Sequence, residues 1–426
     1  MRTNKWTVLI YANGNNELEP EITKAIENLK MEHINDNFNI VIQLARANEE
    51  LVQKLRGPIY INQKERWSGV RRYLINNHGI YEVEVLENVN MADSQTLYSF
   101  LLWGINNYPS DYIMIVLSGH GAGFIGAMTD FTKERPYLMS LDSLVNVFYN
   151  LYKTTKKKVE VLLLDSCYMN LIEVWHEFAN ITFNPIKYLV IASENVNIDG
   201  ISYTIFIRHL QQKVKNVKNT KAVLIDVIKE FNESDKIEEN LILVSLEKNK
   251  FEELKSCFDN IAKIIIENNI NIEKLLKKEL SYKKINPFIN IMYLCNIINS
   301  QLGYTPSESN HMLEIVKDIV VYPSIEVLSN DVNNGPAIYM PDSLGELDEF
   351  RQCYKKLLFL FNNNWIVVLD KNEKVVEKES EYIKNHNILE QPIVLKNKYV
   401  ISSILEQSSY ISVEEAIDIL KKLGWY

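Results

Sequence analysis

Two short apolar runs end in reactive residue types, and they constrain this chain more than any other feature. The first reads Asp111-Tyr-Ile-Met-Ile-Val-Leu-Ser-Gly-His120-Gly-Ala-Gly123, and the second Val159-Glu-Val-Leu-Leu-Leu-Asp165-Ser-Cys167. Unbroken apolar runs of this length suit parallel strands buried on both faces. In open α/β sheets ligands bind outside the carboxyl ends of the strands. Two neighbouring strands would therefore bring His120 and Cys167 to one rim, the arrangement of a thiol nucleophile with its base.

Length and charge narrow the classes around that reading. The 426 residues suffice for one large domain or two ordinary ones with a sizeable core. A net charge of -9 argues against nucleic acid as a partner and mildly steers basic ligands toward the surface. Cys167, Cys257, Cys295 and Cys353 are far apart and form no CxxC pair, so neither a zinc site nor a disulfide framework is signalled. No hydrophobic signal core precedes the first strand, and no apolar stretch is long enough to span a membrane. The expectation is a cytoplasmic protein without a membrane partner; a trimmed sequence would leave secretion open.

Strand and helix patterns alternate through residue 250, as in a mostly parallel sheet covered by helices. Trp6 to Tyr11 reads as the first strand, followed by the turn Asn13-Gly14-Asn15-Asn16. Leu97, Phe100, Leu101 and Ile105 share one face of a helix capped by Asp93 or Ser94. Residues 57–88 suggest a hairpin, and Met169 to Phe178 a helix. The division expected is 1–250 as catalytic domain, 251–370 as a helical subdomain with a strand returning to the core, and 371–426 as an appendage. Two β-like runs (Pro392 to Leu395, Tyr399 to Ile404) and a helix from Ser412 allow that appendage to be winged-helix-like. An extra layer on the catalytic domain is the alternative.

The two junctions hold the parts of a nucleophilic site. Thiolate is the reactive form of cysteine, and a helix opening directly after Cys167 would help to form it. Glycines beside His120 leave room for a substrate backbone. The N–H groups of Gly121 and Cys167 are candidate oxyanion donors. Asp165 lies two residues before Cys167, so in an extended segment both point the same way. Its carboxylate can line the pocket and select Arg or Lys, or else cap the following helix as a structural group.

These residues resemble the clostripain family of cysteine peptidases, peptidase family C11 within the caspase-like clan. The likeness extends to Lys5-Trp-Thr-Val-Leu-Ile-Tyr-Ala-Asn-Gly-Asn-Asn-Glu-Leu-Glu19, Met91 to Leu97 with Phe100, Trp103 and Pro109, and Asp165-Ser-Cys-Tyr-Met-Asn-Leu-Ile-Glu173. Ser193-Glu194 and Gly335 to Pro341 are weaker blocks. The resemblance implies a caspase-like α/β/α sandwich with a mostly parallel central sheet, plus a helical C-terminal subdomain. It implies Cys167 as nucleophile, His120 as general base and Gly121 as an oxyanion donor. Asp165 would form the floor of an S1 pocket, with Asp199 or its rival Glu194 as a second acid. The substrate would be a peptide or protein with a basic P1 residue, Arg or perhaps Lys. A non-catalytic peptide-binding scaffold on the same fold is the alternative.

Ser118 and Ala122 depart from the family pattern, where an aromatic or Asn and a Gly are common, but neither change removes a reactive group. Several relatives mature by self-cleavage between the histidine and the cysteine. Thr132-Lys-Glu-Arg-Pro136 offers Lys133, and less attractively Arg135 before proline. A plain solvated loop is the other reading. The chemistry calls for no cofactor. Calcium enters only as a family expectation of a structural or activating ion, since no EF-hand-like loop is present. His176, near Glu173 and Glu177, reads as a surface histidine; the remaining cysteines read as core.

Overall fold

The computed structural model describes residues 4–56, 67–87, 89–214, 219–234, 240–271, 288–324, 335–340, 348–370, 373–377, 389–396, 401, 404–405 and 413–423. Its first strand, β1 (Asn4–Gly14), shows why the apolar runs are unbroken. Trp6, Val8, Ile10 and Ala12 bury in one core, while Leu9 and Tyr11 bury in the other. Successive side chains on a strand face opposite ways, so a strand covered on both sides must be apolar throughout.

The same logic holds for β2 (Phe38–Arg46), β5 (Ser110–Ser118), β8 (Val159–Asp165) and β9 (Ile186–Ala192). With β1 they form five parallel strands in the spatial order β9-β8-β5-β1-β2. Antiparallel strands extend both edges. β3 (Gly69–Asn76) and β4 (Gly79–Leu86), the hairpin read from the sequence, lie beyond β2. β10 (Leu241–Ser245) and β12 (Val320–Tyr322) lie beyond β9.

Helices cover both faces. Helices α1 (Glu19–Lys30), α6 (Tyr203–Lys213) and α7 (Thr220–Asn232) pack on one. Helices α2 (Glu49–Arg56), α3 (Ser94–Asn107), α4 (Leu141–Thr155), α5 (Ile172–Ala179) and α8 (Lys248–Glu267) contribute buried residues to the other. Asp93 caps α3, its carboxylate accepting from the Gln95 N–H, as the sequence suggested. The chain is thus a caspase-like α/β/α sandwich. Further helices at 291–302, 307–319, 348–355 and 365–369 follow, and the second of these packs on α8.

Two smaller sheets tie late residues to the core. β11 (Phe288–Asn290) pairs with β13 (Ala337–Tyr339). The hairpin of β6 (Gly126–Asp130) and β7 (Tyr137–Ser140) is joined by β14 (Ile393–Val394). Leu395, Ile401, Leu405 and Leu420 bury in the same hydrophobic cluster as Leu144 and Trp175. The second β-like run of the tail, 399–404, falls mostly outside the described residues. Among the described residues no helix is long and apolar enough to cross a membrane.

Candidate active site

Three adjacent strands end at one rim. The register sets Ser118 of β5 opposite both Asp165 of β8 and Ala12 of β1. Two residues past Ser118 comes His120, and two past Asp165 comes Cys167. The Gly119 N–H donates to the Asp165 carbonyl at 3.2 Å and so continues the pairing beyond the strands. At Gly121 a Cβ would lie 2.1 Å from the Cys167 carbonyl oxygen, so this position accepts nothing larger than glycine. His120, Cys167, Asp165, Val196, Asp199 and Tyr203 all line one open cleft.

The His120 loop is held by a buried polar scaffold. The His120 carbonyl accepts from the Met128 N–H at 2.9 Å. The Asn-rich turn after β1 clamps onto β6: the Asn13 amide donates to the Thr129 carbonyl at 2.6 Å, and that of Asn15 to the Asp130 carboxylate at 2.7 Å. Asn13, Asn15, Asn16 and Glu17 are all buried. Buried amides must find partners or lose the full cost of desolvation, so this turn has one well-defined shape. It delivers Glu17 to the imidazole, with His120 Nε2 2.5 Å from Glu17 Oε1. The sequence reading missed Glu17. Its one signal was position: an acid just past a strand that ends at the same rim.

Cys167 lies differently. It is 8% exposed, and its thiol donates to the Val196 carbonyl at 3.5 Å. Burial pushes the thiol up to about 12, with Asp165 adding to the rise and the Val196 contact opposing it. The expected helix start at the cysteine is not found, since α5 begins five residues later at Ile172. Tyr168 takes a left-handed conformation (φ 60°) and breaks the path into a helix. The Asn170 amide then donates to the carbonyls of Ser193 and Gly335. Helix-end stabilisation of a thiolate therefore does not reach Cys167, because that effect fades within a turn.

The acids singled out from sequence occupy three settings. Asp165 is buried and accepts from Ser118 Oγ at 2.9 Å, the Ile201 N–H at 2.9 Å and the Tyr203 hydroxyl. Burial pushes its carboxyl up, and those three hydrogen bonds pull it back. Asp199 stands at the cleft mouth, paired with Lys24 of α1 at 2.9 Å. Glu194 is exposed and does not line the cleft. Tyr203 and Lys24 carried no signal in the sequence, because both meet the site through long-range packing.

The remaining candidates fall elsewhere. Lys133 and Arg135 sit in the connection between β6 and β7, Lys133 partly exposed and Arg135 exposed. His176 is buried, contrary to its reading as a surface histidine. It packs edge-on against Phe359, and burial drives its imidazole down to about 3, so it stays neutral. Cys257 and Cys295 are buried, and Cys353 is partly so. Among the described residues no group of three or more His, Cys, Asp or Glu side chains is placed to hold a metal ion.

Comparison with known proteins agrees with this architecture. The zymogen of a C11 protease from Parabacteroides distasonis superposes with a TM-score of 0.58 at 16% identity, over 84% of this chain and 98% of that one. A secreted C11 cysteine protease from Bacteroides thetaiotaomicron, bound to an irreversible peptide inhibitor, gives 0.57 at 15% identity, over 86% and 99%. At these identities the likeness is one of fold. A search of curated proteins gave no match. The family model for the clostripain family matches residues 10–372, most of the chain. The protein is therefore a member of the clostripain family, a cysteine peptidase of the hydrolase class.

Proposed function

We propose that the protein is an endopeptidase that cleaves after Arg, and also Lys, through a Cys167–His120 dyad. The meeting of these two residues on one cleft, beside the buried Asp165, is the observation that carries the reading. The Cys167 proton passes to the imidazole as sulfur attacks the scissile carbonyl carbon. The carbonyl electron pair moves onto oxygen, where the N–H groups of Gly121 and Cys167 stabilise it. Collapse breaks the C–N bond, and the imidazolium gives its proton to the leaving amine. Water, deprotonated by His120, then releases the acyl group. No metal takes part in these steps.

The resting thiol is protonated and covered by the Val196 carbonyl, so substrate binding must displace that contact before attack. A basic P1 side chain entering the cleft meets Asp165 and Asp199 together. Glu194 is the weaker second acid because it stands off the cleft. Lys133 is the better self-cleavage point, and Arg135 the poorer because of Pro136. Four free cysteines fit a reducing, cytoplasmic setting.

Fluorogenic peptides with Arg, Lys, Ala or Asp at P1 test the proposal, read with and without calcium. Wild type should cleave the Arg and Lys peptides in both conditions. Equal cleavage of the Ala peptide would remove the specificity claim, and no cleavage by an intact chain would point to a binding scaffold or an unprocessed zymogen.

A further inference from the structure

Proton transfer through an imidazole needs a fixed ring and a defined tautomer, and both needs are met here. Glu17 is completely buried and is not among the residues that line the cleft. Its Oε1 is 2.5 Å from His120 Nε2, while Oε2 meets no hydrogen-bond donor among the described residues. Such an arrangement is costly unless the carboxylate interacts strongly with its one partner. Its backbone is pinned as well, because Arg56 Nη1 donates to the Glu17 carbonyl at 2.9 Å and the Asn13–Asn16 turn is locked onto β6. Phe131 stacks on the imidazole, with ring centroids 6.5 Å apart.

We propose that Glu17 is a positioning residue that completes a Cys167–His120–Glu17 triad. The inference rests on the dyad reading above. With the carboxylate as acceptor, the pair places the ring proton at Nε2 and leaves Nδ1 as the nitrogen that would take the thiol proton. When the Cys167 proton moves to Nδ1, the imidazolium that forms faces the Glu17 carboxylate, which offsets its charge. Glu17, His120 and Cys167 then come from the ends of β1, β5 and β8, three strands that are neighbours in the sheet. This also gives the Asn-rich turn a task beyond chain reversal, since its buried amides hold the acid in place.

Glu17→Gln keeps the volume and removes the charge. We expect kcat on an Arg peptide to fall roughly 100-fold with KM nearly unchanged, in the range for a mispositioned general base. Alkylation of Cys167 by iodoacetamide, followed by mass spectrometry of its peptide, should slow in parallel. In wild-type protein labelled with ¹⁵N-histidine, a downfield ring N–H resonance should appear that both His120→Ala and Glu17→Gln abolish. A folded Glu17→Gln protein with wild-type kcat and alkylation rate would overturn the proposal. If that variant does not fold, absence of the Nε2–H resonance in wild type overturns it instead. Alkylation and the resonance do not depend on peptide cleavage, so failure of the endopeptidase reading would be seen separately.

Discussion

The proposed base, His120, and the proposed nucleophile, Cys167, are held by opposite ends of the chain. His120 is fixed by the turn after β1 and by β6, all within the first 130 residues. The loop after Cys167 is fixed by late residues: Asn170 bonds the Gly335 carbonyl, Leu171 bridges to Ala337, and Glu173 accepts from the Tyr339 N–H and the Tyr354 hydroxyl. The segment beyond residue 250 thus sets the shape of the nucleophile loop. The base stands on a dense buried network, whereas the thiol leans on the Val196 carbonyl at the edge of a segment that carries Asp199 to the cleft mouth. A rigid base beside a coverable nucleophile suits a peptidase whose attack begins when substrate displaces that cover.

Loss of the Cys167 thiol should have the largest effect. Cys167→Ala should lower cleavage of an Arg peptide by at least about 1000-fold, since losing the nucleophile of a concerted unit removes nearly all its catalysis. Thermal melting should be little changed, because the small residue stays within the same packing. Substantial cleavage by purified Cys167→Ala would refute the mechanism.

Next in size is the acid beneath the nucleophile. Asp165→Asn places an amide N–H₂ among the donors Ser118, Ile201 and Tyr203, so one donor meets another. We expect a loss of about 1–3 kcal/mol in denaturant unfolding and a collapse of the preference for Arg over Ala at P1. Retention of that preference would move the selecting role to Asp199.

Glu173 sharpens the nucleophile side. Burial pushes its carboxyl from 4.5 to about 7, and its Oε2 has no partner among the described residues, a natural seat for a proton. A raised folded-state value means that the folded chain keeps a proton the unfolded chain has lost. The stability it contributes is full below pH 4.5 and is lost as pH rises through about 7. Glu173→Gln should flatten the stability–pH curve between those values, by up to about 3 kcal/mol. An unchanged slope would assign it to other groups.

Short-range interactions leave a pattern in the sequence, and long-range ones do not. The five parallel strands were readable because burial on both faces writes itself into unbroken apolar runs. Asp165 and Cys167 were readable as a pair because alternation along a strand is local. The engagement of Asp165 by Tyr203, 38 residues on, has no local signature. β12 is three residues long, too short for a pattern, yet it closes an edge of the main sheet. His176 was misread because its neighbours Glu173 and Glu177 look like a solvated face. Those carboxylates instead turn inward to Tyr339, Tyr354 and the Phe359 N–H, from segments more than 160 residues away. Glu17 stood within a motif whose purpose was hidden until the rim was assembled.

The smallest effect should come from the cleft mouth. Lys24 and Asp199 are each about two-thirds exposed, and their charged ends lie 2.9 Å apart although the residues are 175 positions apart in sequence. If Asp199 receives a basic P1 side chain as proposed, the incoming guanidinium would share it with the Lys24 ammonium, and Lys24 would compete with the substrate. Exposed pairs are weak and screened by salt, which caps the benefit of removing the competitor. Lys24→Ala should lower KM for Arg peptides by about fivefold at most, with kcat unchanged and the gain fading at high ionic strength. The same substitution should leave alkylation of Cys167 as it was, because the ion pair touches neither the thiol nor the imidazole. A change in alkylation would mean that the pair also holds the 196–200 segment over the thiol. The cover and the specificity pocket would then be one device, and the contrast between a fixed base and an adjustable nucleophile would extend out to the rim.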